Sequence, residues 1–218
     1  MTLPDLSNTE RTRHRRIREQ GRTDRGDLFE VLSAGFVCHL GVVVDGAPMV
    51  VPTVYGYDES SLFFHGSVAS RSLTQPASEV CVTVTHVDGL VLSRSVFEHG
   101  VNYRSAMIYG RPQVLTGDAL LAGLRVLTEH CAPGQWDYAR RPSRKELAAT
   151  TLLALPLAEA SVKVRSGPPT DAAEGDDLLP DGTPRWAGVR PLTPLWSPLE
   201  PDPALPPSTP IPPHLLLR

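Results

Sequence analysis

A short segment of the chain combines imidazole, hydroxyl and guanidinium groups at a spacing suited to binding an anion. Residues 65–71 read His-Gly-Ser-Val-Ala-Ser-Arg, so a glycine that permits a close turn precedes Ser67, Ser70 and Arg71. Hydroxyl donors, a guanidinium and the N–H groups at the start of a helix together suit a phosphate dianion. A capped helix with a surface arginine fits the same composition equally well. The segment therefore predicts either a phosphate site or an ordinary helix start.

A second group of donors lies at residues 102–105, where the sequence reads Asn-Tyr-Arg-Ser. Tyr103, Arg104 and Ser105 open a predicted strand and add one more cation. Alone this group indicates little. In an antiparallel barrel it could meet the first segment and complete a phosphate site.

Two further features could serve a flat polar ring. Val51, Pro52 and Thr53 form a strand interrupted by proline, whose unpaired backbone groups could hydrogen-bond to such a ring. Trp186 lies in a predicted late loop, where its indole could stack on the ring or close one end of a barrel. Both interpretations of Trp186 stay open on the sequence alone.

Among the seven histidines, only His65 adjoins the phosphate-type segment. It is therefore the candidate for a redox-active or haem-ligating role, and the alternative is a histidine with no chemical role. His39 and His86 lie on predicted strands and are interpreted as residues of the barrel wall. The sequence contains no H-x-x-x-H pattern, carboxylate pair or nucleophile elbow, so we expect neither hydrolytic chemistry nor a mononuclear metal site.

Strand patterns dominate the elements that must position these groups. Asp-Gly pairs at 45–46 and 88–89 predict hairpin turns. Pro52 predicts a bulge or a sheet edge, and Gly110 predicts a bulge. Apolar β-branched or alternating stretches predict strands at residues 36–44, 49–57, 62–65, 79–87, 90–95, 104–115, 151–155 and 161–165.

Helical patterns are fewer and shorter. They predict helices at 27–34, 67–74 and 118–131, a capping box at 143–146 and one helical turn at 157–160. Asp27 is the predicted cap of the first helix. Six or seven antiparallel strands joined by hairpins favour a barrel or sandwich over a parallel sheet. Because closure would hide valine-rich edges, we predict a mainly β fold with a few helices, built as a small barrel.

The two ends of the chain differ in composition from its middle. Residues 1–26 form an arginine-rich arm, predicted either to contact nucleic acid or a membrane or to lie over an anionic pocket or a partner subunit. The second interpretation is favoured, because the net charge is −3 and no aromatic residues interleave with the arginines. Residues 193–218 form a proline-rich tail that is predicted to be extended. The folded domain is accordingly placed at residues 27–192.

The composition of the 218-residue chain excludes several protein classes. No stretch reaches the ~18 apolar residues of a membrane-spanning helix, and a polar N-terminus is not a secretory signal. Cys38, Cys81 and Cys131 are too few and too widely spaced for a disulfide framework or a thiolate zinc site. We therefore expect a cytoplasmic protein in a reducing compartment.

Residues 11–192 resemble the pyridoxamine 5′-phosphate oxidase-like, FMN-binding split-barrel superfamily, in particular its nitroimidazole-resistance, nitroreductase-like branch. The stretches that carry the resemblance include LFFHGSVASRSL, NYRSAMIYGRPQVL and KELAATTLLALPLAEASVKVRSGPP. The resemblance implies a six-stranded antiparallel split β-barrel of Greek-key type. It also implies a homodimer that holds FMN between its subunits, with haem or a deazaflavin as alternative cofactors of related proteins.

The resemblance also implies roles for individual residues. Ser70 and Arg71 would hold the FMN phosphate with help from Ser67, Arg104 and Ser105. Backbone groups of Val51, Pro52 and Thr53 would line the isoalloxazine ring. His65 would lie close to the cofactor. The pocket would be completed by Lys163 and Trp186.

Departures from the family pattern bear on the substrate. Ser72 stands where pyridoxamine phosphate oxidases carry a second basic residue, and their C-terminal arginine-and-histidine motif is absent. Vitamin B6 oxidation is therefore not expected. We predict an FMN-dependent oxidoreductase that passes electrons from NAD(P)H to a small acceptor such as a nitroaromatic compound. The alternative is a split-barrel protein that sequesters flavin or haem without catalysis of its own.

Overall fold

Valine-rich strands form most of the ordered framework in the computed structural model, which describes residues 5–67, 78–170 and 178–216. These described residues contribute ten strands to one antiparallel sheet. The strands are β1 (Gly21–Arg22), β2 (Val37–Val44), β3 (Ala47–Tyr57), β4 (Ser61–Ser67), β5 (Val80–Leu92), β6 (Gly100–Gly110), β7 (Gln113–Val114), β8 (Thr150–Pro156), β9 (Glu159–Arg165) and β10 (Gly188–Pro191).

The strand order is β1-β9-β6-β5-β2-β3-β4-β8-β7, with β10 paired to β5 outside this path. One apolar cluster contains residues of β9 near one end of the sheet and of β8 near the other, so the sheet curls around a common core. The expected mainly β, antiparallel split-barrel fold is confirmed. The expected count of six or seven strands was too low, because β1 and β7 are only two residues long and show no alternation, and β10 follows a long irregular segment.

Four helices lie among the described residues: α1 (Arg25–Ser33), α2 (Gly117–Cys131), α3 (Gln135–Tyr138) and α4 (Arg144–Ala148). The first helix begins earlier than predicted, because Asp24 rather than Asp27 is its cap and accepts a hydrogen bond from the Gly26 N–H. The capping box of α4 is confirmed: Ser143 and Glu146 each accept from the other's backbone. The helix predicted at residues 67–74 lies almost wholly outside the described residues.

Three local predictions were wrong. The Asp88-Gly89 pair is not a hairpin turn; β5 continues through it with a bulge, and residues 89–92 pair with β10. A Cβ on Gly89 would lie 2.8 Å from the Arg190 carbonyl oxygen, so the glycine allows this pairing. Gly110 is not a bulge but the last residue of β6, and residues 157–158 form the β8–β9 hairpin instead of a helical turn.

The apolar interior is divided by the sheet into two clusters. The larger one fills the concave face together with α1, where the Tyr55 hydroxyl donates to the Leu32 carbonyl at 2.7 Å. The smaller one lies between α2 and the outer face of β4 and β8, around Phe63 and Leu152. Helix and sheet approach closely there: a Cβ on Gly56 would lie 2.5 Å from the Leu127 Cα.

The two compositionally unusual ends both contact the sheet. Within the arm, β1 pairs with β9, and Arg11 forms ion pairs with Glu79 and Glu159. The pKa of Glu159 is lowered to about 2, mainly by its hydrogen bond with the Arg11 guanidinium. In the tail, Trp196 stacks on Phe36 with 5.9 Å between ring centroids. None of the helices in the described part of the chain is long and apolar enough to cross a membrane.

Candidate functional site

The strands β3 and β4 separate along part of their length, and this split is the centre of the candidate site. They pair only through residues 55–57 and 62–64, whereas the whole of β4 pairs with β8. Continuing the register would place Thr53 opposite Gly66. Instead, one side-chain contact bridges the gap: the Thr53 hydroxyl lies 3.4 Å from the His65 carbonyl oxygen. The structure thus brings residues 51–53 close to residues 65–67.

Pro52 gives the split an edge with exposed acceptors. The Tyr55 N–H donates to the Phe36 carbonyl on the β2 side, and backbone direction alternates along a strand. Val51 and Thr53 therefore direct their backbone groups toward β2, while Pro52 directs its carbonyl toward the open edge. The β2–β3 register is unbroken from Ala47 to Val54, so the predicted edge at Pro52 is confirmed and the predicted bulge is absent.

His65 occupies the other side of the split in an unusual electrostatic state. Its side chain shares the outward face of β4 with Phe63, under α2. Its buried Nδ1 has no hydrogen-bond partner among the described residues. Burial lowers the pKa of His65, so the imidazole is neutral at neutral pH. A neutral imidazole with an unused ring nitrogen is the form that can ligate iron or accept a proton.

A cavity of about 410 Å³ adjoins His65 on the side of the helices. Trp136 and two arginines of the α3–α4 connection form part of its wall. Arg140 pairs with Glu146 at 2.6 Å, and Arg141 lies 4.6 Å from the centroid of the Trp136 ring. The Arg140 hydrogen bond is the main reason that the pKa of Glu146 lies well below its ordinary value. The cavity therefore joins an apolar aromatic wall to a rim of fixed charges.

The second predicted donor group is divided between the two faces of β6. Alternation places Arg104 on the concave face with Ala106, and Tyr103 and Ser105 on the outer face. Arg104 forms a forked contact with Asp88, at 3.0 Å from Nε and 2.9 Å from Nη2, and this hydrogen bonding raises its pKa. In the described chain its guanidinium is thus engaged by a carboxylate.

Lys163 joins the outer half of that group. It pairs directly with Ser105 across β6 and β9, and its ammonium lies 5.6 Å from the centroid of the Tyr103 ring. The strands β2 and β5 lie between β6 and β3. The distance from β6 to β3 is therefore three strand spacings, or about 14 Å at about 4.8 Å each. The structure therefore places Tyr103, Ser105 and Lys163 together, at a distance from the split.

The remaining predicted site residues are Ser67, Ser70, Arg71 and Trp186. Ser67 is exposed at the end of β4, and Ser70 and Arg71 lie outside the described residues. Trp186 is 70 % exposed and packs beside Gly188 at the start of β10.

Sequence reasoning did not identify the Arg104 partner or the cavity residues. Asp88 was interpreted as part of a turn because Asp-Gly is a strong hairpin signal. Trp136 and Arg140 reach His65 only through tertiary packing, and their local sequence carries no motif. The capping box at Glu146 was the one signal near this wall, and it indicated a helix start instead of a site.

The family profile described as Pyridoxamine 5′-phosphate oxidase matches residues 24–164 of the chain. A comparison with the curated proteins finds no significant match. Among solved structures, the flavocytochrome Anf3 from Azotobacter vinelandii is 35% identical, with a TM-score of 0.88 and 97% of each chain covered.

Two further solved structures extend the comparison. The FAD and heme binding protein from Mycobacterium smegmatis is 35% identical, with a TM-score of 0.83, covering 90% of this chain and 96% of that one. A structure described as a 5-nitroimidazole antibiotic resistance protein from Bacteroides thetaiotaomicron is 20% identical, with a TM-score of 0.56 over 66% of this chain and 86% of that one. The last shares the fold.

Proposed function

Since this chain belongs to the pyridoxamine 5′-phosphate oxidase-like split-barrel family, we propose that it is a flavin-dependent oxidoreductase passing electrons from NAD(P)H to a small acceptor. The observation that carries the proposal is the split between β3 and β4. There, the free carbonyl of Pro52 and the Thr53 hydroxyl lie beside the backbone carbonyl of His65, while the neutral His65 ring lies on the outer face of β4. This donor set fits a flat ring that has both hydrogen-bond donors and acceptors.

The residues have distinct roles in this proposal. The Pro52 carbonyl and the Thr53 hydroxyl orient the ring along the open edge, because the backbone groups of Val51 and Thr53 face β2. Ser67, Ser70 and Arg71 hold the cofactor phosphate. Lys163 and Ser105 lie two strands away from β3, so within one chain we assign them no contact with the ring. A bound flavin supplies the redox chemistry, accepting a hydride and passing on electrons. The phosphate role of Arg104 requires release from Asp88, so we assign it no direct part.

FMN is the cofactor that the sequence motifs favour. The two solved structures at 35% identity suggest a flavin together with a haem instead. One is a flavocytochrome, and the other is described as binding FAD and heme. The flavin of this chain is therefore FMN or FAD, and extraction followed by chromatography distinguishes them by mass. A deazaflavin is the third outcome of the same measurement.

A haem site is the second candidate function, and His65 is the observation that favours it. Its buried, unpartnered Nδ1 lies beside the 410 Å³ cavity, whose wall combines Trp136 with the side chains of Arg140 and Arg141. A neutral imidazole is a suitable axial ligand, whereas Arg140 and Arg141 already pair with Glu146 and Asp137 and receive no role here. His65→Ala should abolish a haem absorption band that His39→Ala leaves intact. Retention of the band in His65→Ala would assign the ligand elsewhere.

A homodimer is part of the proposal, because the outer face of the sheet is unusually apolar. The exposed fractions of five outward residues lie between 38 and 67 %: Val37, Val43, Val50, Val87 and Met107. A second copy of the chain with C2 symmetry would bury these side chains and shield a ring bound on this face from water.

The three free cysteines are compatible with the reducing cytoplasm that we expect.

Anaerobic reduction tests catalysis directly. Addition of NADPH or NADH to the flavin-loaded protein should bleach the flavin absorption, and a nitroaromatic acceptor should restore it over many turnovers. Binding of flavin without bleaching by either nucleotide would instead support the alternative, a protein that sequesters flavin or haem. Free flavin at the same concentration is the control for uncatalysed reduction.

A further inference from the structure

The arginine-rich arm forms a cleft against β9 that the proposed redox site does not use. We call this the arm cleft; it has a volume of about 420 Å³. Its polar lining combines guanidinium, hydroxyl and amide groups, contributed by Ser7, Asn8, Arg13, Arg18, Arg22 and Ser161.

The arm is held in place by specific contacts with the sheet. The Leu6 N–H donates to the Thr23 carbonyl at 2.8 Å, and the side chain of Leu6 is buried in the core. His14 Nε2 lies 2.9 Å from the Val162 carbonyl oxygen. A Cβ on Gly21 would lie 2.4 Å from the His14 ring, so only glycine permits this approach. The arm cleft is therefore formed before any ligand binds, which reduces the entropy cost of binding.

The charge of the arm cleft has one sign. Three guanidinium groups line it, and no carboxylate is among its described lining residues. Neither Arg18 nor Arg22 is paired with a carboxylate in the described parts of the chain, while Arg13 lies 3.9 Å from Glu10. Moreover, the buried Ser7 hydroxyl has no hydrogen-bond partner among the described residues. Cations together with an unused hydroxyl suit an oxyanion, and phosphate above all.

The position of the arm cleft brings it next to Lys163 and Ser105 on the outer face of the sheet. Ser161 lines the cleft and shares the outer face of β9 with Lys163. Lys163 pairs with Gly21 of the arm on one side and with Ser105 on the other. This row runs from the arm cleft across β9 to Ser105 of β6, and two strands separate it from β3 and the split, so a nucleotide bound at both places would have to be extended.

We propose that the arm cleft binds a phosphate group of a nucleotide that takes part in the reaction, an inference that rests on the proposed function. Two sources share this chemistry: the 2′-phosphate of NADPH and the diphosphate of FAD. A concave cleft lined by three arginines suits a compact phosphate. Contacts with the backbone of a nucleic acid need a longer basic surface.

Calorimetric titration of the full-length protein with 2′-AMP, 5′-ADP and adenosine tests the proposal without flavin or turnover. One or both phosphorylated probes should bind at least tenfold more tightly than adenosine. The double variant Arg18→Gln/Arg22→Gln should weaken that binding at least tenfold, while Arg16→Gln, an exposed arm residue outside the cleft, should change it less than twofold. Equal losses in both variants, no binding of either probe, or tighter binding of a short DNA duplex would overturn the proposal.

Two further measurements distinguish the source of the phosphate. A rise in KM for NADPH with an unchanged KM for NADH in the double variant assigns the cleft to the 2′-phosphate. A rise in the Kd of FAD with an unchanged Kd of FMN assigns it to the diphosphate. If neither changes, the cleft does not serve this reaction and the proposal is wrong. If the probes bind but the protein takes up no flavin, the arm cleft stands as a phosphate site and the proposed redox function fails.

Discussion

At the scale of single residues, His65 is the group whose chemistry depends most on its surroundings. Burial lowers the pKa of His65 in the folded protein. As the pH falls, the imidazole is therefore protonated near pH 6.5 in the unfolded chain and only at a lower pH in the folded chain. The free energy of unfolding should therefore fall as the pH drops from 7.5 to 5.5. Because the ring is only half-buried, solvent screening limits the share of that fall that His65 contributes.

Urea denaturation at the two pH values measures this contribution. His65→Gln should show a smaller pH-dependent loss of unfolding free energy than the native protein. Identical pH dependence in His65→Gln and the native protein would show that the ring titrates normally.

Arg71 is the residue on which the predicted phosphate site most depends. Replacing it with alanine removes a charge-assisted contact of roughly 1.5–3 kcal/mol, so the affinity for flavin should fall at least tenfold. The thermal unfolding of the flavin-free protein should barely change. Fluorescence titration with FMN gives the Kd, with Arg16→Ala as the matched control. Equal Kd values for the native protein and Arg71→Ala would move the phosphate site away from residues 67–71.

Which residues lie near the site was easier to predict than which side chains they bind. The proximity of Thr53 to His65 follows from strands that neighbour each other in sequence, which hairpin signals indicate well. The pairing of Arg104 with Asp88 could not be predicted, because it depends on a bulge that turns an apparent hairpin signal into continuous strand. Side-chain direction in a strand reverses with each residue, so one bulge changes which face receives a charge.

At the scale of elements, the contact between α2 and β3 supports the wall that carries His65. Gly56→Ala would place a methyl group within 2.5 Å of the Leu127 Cα, where only backbone movement could relieve the clash. We expect a loss of about 2–4 kcal/mol in unfolding free energy. Gly46→Asn is the control, since this turn glycine has a φ of 78° that asparagine tolerates and open space around it. A Gly56→Ala variant as stable as the control would contradict close helix–sheet packing.

Elements with strong local signals were predicted nearly to their ends, except that β5 continues to Leu92 through the expected turn at residues 88–89. The alternation from residue 80, the amphipathic pattern of α2 and the capping box of α4 all agree with the structure. Elements fixed by distant pairing were missed: β1 and β10 are short segments whose strand form comes from β9 and β5. Such edge pairing depends on what the fold brings alongside, which local sequence does not specify.

At the scale of the whole molecule, the apolar outer face predicts a dimer. Light scattering should give a mass of about twice 23.7 kDa. Val50→Glu, on the outer face with 67 % exposure, should weaken the dimer and the retention of flavin together. Leu195→Glu, an exposed change in the tail, is the control. A native monomer that holds one flavin per chain would show that a partner subunit is not needed.

The central claim is that this chain carries a redox cofactor at the split of its barrel, and the visible absorption spectrum of the purified full-length protein tests it most directly. We predict the two bands of an oxidised flavin, and a Soret band in addition where the cavity at His65 holds haem. Chromatography of the released cofactor then identifies the flavin. A colourless protein that stays colourless after incubation with FMN, FAD and haem would contradict the account.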